Sequence, residues 1–127
     1  MATGTEVMIG SHRDLQVWQK AIELVVECYE ASNQFPESEK FNLTSQVRRA
    51  AASIPANIAE GRARGATKNF LNFLAIANGS LAELDTHLEL AVRLQFVSRE
   101  SKQSLQLRMD EVGRMLSGLR QSLRRKL

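Results

Sequence analysis

Residues 70–91 read FLNFLAIANGSLAELDTHLELA. Apolar side chains recur in this stretch at alternating spacings of four and three residues, which is the period of one helical face. The pattern predicts a helix over about residues 67–95, with Thr67 or the residue before it as its N-cap. The predicted buried face consists of Phe70, Leu74, Ala77, Leu81, Leu84, Leu88 and Ala91.

Three further stretches have the same period and predict helices at about 14–33, 40–62 and 98–125. Asp14 and Ser98 are the expected N-caps of the first and last of them. Four helices with short connections predict an all-α protein, an antiparallel up-down four-helix bundle over residues 14–127. Residues 1–13 are predicted to be a flexible N-terminal segment. The three remaining buried faces are predicted at Val17, Ala21, Leu24 and Cys28; at Leu43, Val47, Ala50, Ile54 and Ile58; and at Leu105, Met109, Val112, Leu116, Leu119 and Leu123.

Pro55 lies inside the second predicted helix. A proline in a helix interior removes one backbone hydrogen bond, so we expect a kink near this residue, or alternatively two short helices that meet at Ser53. Asn57 is expected to have a structural role, in which its amide binds carbonyl groups that the proline leaves without a donor.

The composition indicates one ordinary globular domain of 127 residues. The single cysteine, Cys28, excludes an internal disulfide and fits a reducing compartment. The sequence has no apolar run long enough for a membrane span, and its first residues do not resemble a signal peptide. We therefore expect a cytoplasmic protein with no membrane contact.

The first helix has more apolar surface than one bundle needs. Trp18, Ile22, Val25 and Tyr29 form a second stripe, one position round from the predicted buried face. The stripe predicts a homo-oligomer, and the alternative is a monomer with a generous core.

Charge is distributed unevenly, although the net charge is only +3. Residues 48–68 contain five basic residues and one acidic residue, and residues 102–127 contain seven basic and two acidic residues. This asymmetry favours a polyanionic partner or charge-complementary self-association. For a nucleic-acid partner, the predicted phosphate contacts are Arg48, Arg62, Arg64, Lys68, Arg114, Arg120, Arg124, Arg125 and Lys126.

Each of these contacts has a plain structural alternative. Residues 61–68 could be a solvated loop, and basic residues near the end of the last helix also complement its dipole. Arg49 could pair with Glu60 or Glu83 across a helix contact. No aromatic residues are interleaved with these charges, so the expected binding is to phosphates and sensitive to salt.

The residue pattern does not favour an enzyme. Glu83 and His87 lie one turn apart, but the Glu-x-x-His pairs of di-iron bundles are missing. Cys28 has no nearby cation to activate it. We therefore expect no catalytic residues, no metal and no cofactor.

Several segments, taken in order, resemble a known family. They are DLQVWQKA (14–21), LTSQVRRAA (43–51), SIPANIAEG (53–61) and GSLAELDT (79–86). Together they are similar to the four-helix-bundle proteins encoded in intervening sequences of bacterial large-subunit ribosomal RNA genes.

The resemblance implies a homopentamer around a central channel. A related branch comprises accessory proteins of diversity-generating retroelements, which bind nucleic acid and a reverse transcriptase. Two functions follow as expectations: a non-catalytic pentameric ring that binds RNA or DNA, or a protein-interaction scaffold that docks a reverse transcriptase. The residues expected to serve structure or subunit interfaces are Trp18, Tyr29, Arg49, Pro55, Asn57, Glu60 and Glu83.

Overall fold

The computed structural model describes residues 10–127, and this part of the chain forms four α-helices without any β-strand. Short 3₁₀ turns at His12–Asp14 and Glu37–Glu39 precede the first and second helices. The prediction of an all-α four-helix fold is therefore confirmed. The helices are α1 (Gln16–Ser32), α2 (Leu43–Ala63), α3 (Thr67–Arg93) and α4 (Arg99–Arg124).

Each helix packs against two others: α1 and α3 both contact α2 and α4. Between α2 and α3, Gly61 lies against Phe70, and the Ser53 and Ser80 hydroxyl oxygens are 2.8 Å apart. Residue numbers therefore rise along one helix as they fall along the other, as expected for neighbouring helices that run in opposite directions.

One core fills the space between the four helices. Phe70, Ile54, Leu84 and Leu116 are among its largest fully buried side chains. Every residue predicted for the buried faces of α1, α2 and α3 is buried, and α4 departs only at Leu119, which is half-buried. The four-and-three spacing therefore located the core correctly.

The start of α1 differs from the prediction. Asp14 does not cap α1; it belongs to the preceding 3₁₀ turn, where its carboxylate accepts a hydrogen bond from the Ser11 backbone N–H at 3.3 Å. Residues 10–13 belong to the segment predicted to be flexible, and within them His12 packs edge-on against Trp18 with ring centroids 5.0 Å apart. The rest of that predicted segment lies outside the described residues.

The other two predicted caps have different outcomes. Ser98 caps α4 as predicted, because its hydroxyl accepts a hydrogen bond from the Ser101 backbone N–H at 3.1 Å. The N-cap of α3 is Ala66, the residue before Thr67 and the second of the two predicted positions, but it has no side-chain acceptor.

Helix α2 runs unbroken through Pro55, which excludes two short helices meeting at Ser53. Asn57 does have a structural role, but not the predicted one. Its amide donates to the Ser53 carbonyl at 2.8 Å and to the Ser53 hydroxyl at 2.9 Å. The carbonyl that Pro55 leaves without its helical donor is that of Ala51, one turn before the proline.

Within residues 10–127, no helix is both long enough and apolar enough to cross a membrane.

Candidate nucleic-acid interface

The two basic segments of the sequence lie at the same end of the bundle. Glu89 pairs with Arg99, Asp85 pairs with Lys102, and Gly113 lies against Leu81, so α4 runs back along α3 toward its start. From Gly113 to the end of α4 is a further eleven residues, about 16 Å of helix, which carries α4 to the level of Phe70. The basic α2–α3 loop is at that same level.

We call this region the basic end. The turn before α1 also lies there, since the Arg62 guanidinium is close to Gly10. Arg13 lies in this turn and joins the group, although it is not one of the predicted phosphate contacts. The basic end comprises Arg13, Arg62, Arg64, Lys68, Arg120, Arg124, Arg125 and Lys126.

Most cations of the basic end have no carboxylate partner among the described residues. Lys68, Arg124, Arg125 and Lys126 are exposed and form no ion pair there. Arg120 is half-buried, and its Nε has no hydrogen-bond partner. Like charges held close together with little neutralisation produce a positive potential that attracts polyanions.

Arg64 is the exception among the exposed cations. Its Nη2 lies 2.8 Å from a Glu60 carboxylate oxygen, and its guanidinium carbon lies 5.2 Å from the centroid of the Phe73 ring. Glu60, which was predicted to serve structure or a subunit interface, thus pairs with Arg64 rather than with Arg49.

The start of α3 adds backbone donors to the basic end. Its N-cap, Ala66, has no side-chain acceptor for the first amides of the helix. Gly65 before it has a φ of +84°, a conformation that glycine adopts without strain, and no atom would contact a Cβ placed there. Free amides beside Lys68 favour the binding of an anion, because the start of a helix is the positive end of its dipole.

The opposite end of the α3–α4 pair contrasts with the basic end. Glu89 accepts hydrogen bonds from Arg99 at 2.8 and 3.1 Å and from Arg93 at 3.0 Å. Lys102 is buried and lies 2.8 Å from Asp85. We call these five residues, Asp85, Glu89, Arg93, Arg99 and Lys102, the paired end.

The pairing changes the titration of Glu89. Hydrogen bonds from Arg99 and then Arg93 lower the pKa of Glu89 from 4.5 to about 2. The same carboxylate raises the pKa of Arg99. Arginines at the paired end are thus occupied by carboxylates.

Arg48, which was predicted to contact phosphate, lies at the junction of α1 and α2 instead of at the basic end. Its Nε donates to the Ser32 hydroxyl at 2.9 Å, and its Nη2 donates to the Asn33 side-chain oxygen at 2.9 Å. The guanidinium lies 4.6 Å from the centroid of the Tyr29 ring. These contacts fasten the end of α1 to α2, which is a structural use of Arg48 that its position in the sequence did not reveal.

Arg114 is also separate from the basic end. It lines a shallow groove between α3 and α4 with Asp85 and Asp110, midway along the bundle. The structure therefore brings together seven of the nine predicted phosphate-contact residues and leaves Arg48 and Arg114 elsewhere.

Arg49 and Glu83 line one cleft between α2 and α3 but do not form the predicted ion pair. Within residues 10–127, no N···O distance of 4 Å or less joins the Arg49 guanidinium to the carboxylate of Glu83 or of Glu60. His87 lies in the same cleft, where its Nδ1 is buried without a hydrogen-bond partner.

The remaining candidates for reactivity or metal binding are the Cys28 thiol and the acidic side chains. Burial, followed by the charge of Glu27, raises the pKa of the Cys28 thiol to about 12. A thiol with such a pKa is a poor nucleophile at neutral pH. In the described part of the chain, no group of three or more His, Cys, Asp or Glu side chains is placed to hold a metal ion.

The fold and the charge distribution define a four-helix bundle with one basic end. The model of the 23S rRNA-intervening sequence protein family matches residues 13–118. The chain therefore belongs to this family, as the segments quoted above indicated.

A solved structure supports the same relationship. It is the crystal structure of a protein of unknown function from the S23 ribosomal protein family of Bacteroides thetaiotaomicron. The two chains are 28% identical with a TM-score of 0.75, and the match covers 81% of this chain and 96% of the other. No protein with a curated description matches this chain significantly.

Proposed function

We propose that the protein binds RNA or DNA without catalysis, through phosphate contacts made by the basic end. The observation that carries the proposal is the convergence of two basic segments, the α2–α3 loop and the end of α4, at one end of the bundle. Apart from Arg64, their exposed cations form no ion pair among the described residues, whereas Arg93 and Arg99 of the paired end are held by Glu89. Binding through such cations is weakly selective for sequence and weakens as salt rises.

Three charge-neutralising substitutions test this directly. Lys68→Gln, Arg124→Gln and Arg125→Gln, combined in one chain, remove exposed cations that make no ion pair in the described structure. We expect affinity for a structured RNA to fall about tenfold or more at low salt, and the slope of log K against log salt to become shallower by about 2–3. Fluorescence anisotropy over a salt series measures both quantities.

The matched control removes the same charge elsewhere. Lys20→Gln, Arg93→Gln and Arg99→Gln change the net charge equally, but all three side chains lie near a carboxylate. Equal loss of binding in the two triple variants would show that only net charge matters. If the parent chain and both variants all fail to bind RNA at low salt, the proposal is overturned.

We also propose that the protein assembles into a homo-oligomeric ring, a pentamer by its resemblance to family members. Support comes from α1, where Ile22, Val26 and Tyr29 are exposed on one side of the helix, beside the half-buried Trp18 and Val25. An apolar stripe of this kind on the surface is typical of an interface. A ring would repeat the basic end around an axis and multiply its phosphate contacts.

Native mass spectrometry of the parent chain and of Ile22→Glu, Val26→Glu tests the assembly. We expect the parent to be an oligomer and the double variant to be a monomer, because buried unpaired carboxylates are costly. Leu107→Glu on α4, where Leu107 is also exposed, is the control and should leave the assembly intact. A monomeric parent chain at micromolar concentration would contradict the proposal.

A further inference from the structure

A cleft of about 480 Å³ opens between the first half of α2 and the second half of α3, away from the basic end. This volume is in the range of sites that bind small molecules or single groups of larger ones. Its lining is mostly polar, so an apolar ligand is a poor fit. The lining includes Phe41, Arg49, Glu83 and His87.

Phe41 is the most exposed large apolar side chain of the described residues. It is 86% exposed, does not belong to the core, and lies at the edge of the cleft. The Lys40 ammonium is 5.6 Å from the centroid of its ring. An aromatic ring that is open to solvent and flanked by cations is the usual platform for stacking a nucleobase.

The polar groups of the cleft have unused hydrogen-bonding capacity. Within residues 10–127, neither the Arg49 guanidinium nor the Glu83 carboxylate has a hydrogen-bond or ion-pair partner, and His87 Nδ1 is buried without one. Deeper in the cleft, the Ser53 hydroxyl is already occupied by Ser80 and Asn57. The free groups are therefore a cation, an anion and an imidazole nitrogen, arranged beside the aromatic ring.

We propose that this cleft binds one unstacked nucleobase of a single-stranded nucleic acid, and that the base carries an exocyclic amino group. The base stacks on Phe41, the Glu83 carboxylate accepts a hydrogen bond from the amino group, and Arg49 contacts an adjoining phosphate. The inference rests on the nucleic-acid binding proposed above and adds recognition of a base to contacts with phosphates. Single-stranded segments are usually recognised in this way, by stacking and by hydrogen bonds to base edges.

The carboxylate provides the selectivity. An ionised Glu83 can only accept hydrogen bonds. Cytosine presents a donor amino group at the position where uracil presents an acceptor oxygen. The amino group of cytosine can therefore donate a hydrogen bond to the Glu83 carboxylate. The oxygen of uracil at the same position would instead face the carboxylate as a second acceptor.

The cleft and the basic end can be reached by one strand. Arg49 and Arg62 are thirteen residues apart on α2, about 20 Å along the helix. At about 3.4 Å per phosphate, six nucleotides span that distance, so a decamer is long enough to occupy both sites.

The experiment compares decamers of cytidylate and uridylate, which have the same number of phosphates, by fluorescence anisotropy with the full chain. We expect the cytidylate decamer to bind about tenfold more tightly, the effect of one well-placed base. Phe41→Ala should abolish this preference. Glu83→Gln should reduce it toward equality, because an amide both accepts and donates. Leu107→Ala, at a distant exposed site, is the control and should preserve the preference.

Cytidine monophosphate is a second probe, which separates a base held in a strand from a free nucleotide. We expect it to bind at least about tenfold more weakly than the decamer, since it lacks the contacts at the basic end. Equal affinity would overturn the assignment to a strand.

Equal affinity of the parent chain for the two decamers, or an unchanged preference in Phe41→Ala, would overturn the base site. In that case salt-sensitive binding that is lost on neutralising the basic end would still support the proposed function. Failure of both decamers and of structured RNA to bind would overturn the two proposals together.

Discussion

The two ends of the bundle use arginine differently. At the paired end, Arg93 and Arg99 both donate to Glu89, and Lys102 is buried beside Asp85. At the basic end, Arg124 and Arg125 are exposed and form no ion pair within the described residues. A cation that already has a carboxylate contributes to local structure, whereas one without a carboxylate is available to a phosphate. The count of basic residues is thus less informative than their pairing.

The two ends also differ in how deeply an aromatic side chain is buried in the core. The largest expected effect on stability tests this difference. Phe70 is fully buried at the basic end, while Phe96 at the other end is half-buried against Phe35 with ring centroids 5.9 Å apart. We expect Phe70→Ala to lower the free energy of unfolding by about 3–5 kcal/mol. Phe96→Ala should cost clearly less, because less apolar surface leaves the core. Urea denaturation measures the free energy of unfolding of both variants. Equal losses would contradict the expectation that Phe70 contributes more to stability than Phe96.

A smaller effect is expected where α2 and α3 approach each other beside the basic end. A Cβ on Gly61 would lie 2.7 Å from the Cβ of Phe73 and 3.0 Å from a ring carbon of Phe70. These distances are so short that α2 and α3 would have to shift relative to each other. We expect Gly61→Ala to cost about 1–3 kcal/mol of stability through overpacking. The control is Gly79→Ala, at a helical glycine with no atom within 4 Å, which should gain up to about 1 kcal/mol. A stabilised Gly61→Ala would show that the helices are not in close contact there.

The pH dependence of the paired end follows from Glu89. Its pKa in the folded chain is about 2, lowered from 4.5, so the folded state binds this proton less readily than the unfolded state. The stabilisation by Glu89 is therefore fully present above pH 4.5 and is lost as the pH falls toward 2. Comparing the thermal unfolding of the parent chain with Glu89→Gln between pH 6 and pH 2 (roughly the range over which carboxylates titrate) should show a difference in midpoint that shrinks toward low pH. A constant difference would mean that the arginines do not hold the carboxylate.

The smallest effect concerns Cys28, which belongs to neither end. Its thiol has a pKa of about 12 because it is buried in the core. We expect a thiol reagent at pH 8 to label it only as fast as the bundle opens, and at once in denaturant. Rapid labelling of the folded chain would show that α1 separates easily from the core.

The parts of the fold that depend on sequence period could be predicted. Leu24, Ile58 and Leu84 are fully buried where the four-and-three spacing placed them, because an apolar stripe on a helix must face a core. The meeting of the two basic segments was not predicted, although in an up-down bundle the second connection and the end of the fourth helix lie at the same end.

Contacts between distant segments could not be predicted in this way. Arg48 meets Ser32 and Asn33, and Lys102 meets Asp85, because of how the helices are rotated against each other. A single sequence has no periodic signal for that rotation. The place of Phe41 at the edge of a polar cleft could not be predicted either, because it depends on the path of the loop before α2.

Mapping where nucleic acid contacts the protein tests the proposed role of the basic end. Ultraviolet cross-linking of the full chain to RNA, followed by mass spectrometry of the peptides, identifies the contact residues. We expect cross-links in residues 62–68 and 120–126, at the basic end. Cross-links concentrated in residues 85–102, where the arginines are paired with carboxylates, would contradict it.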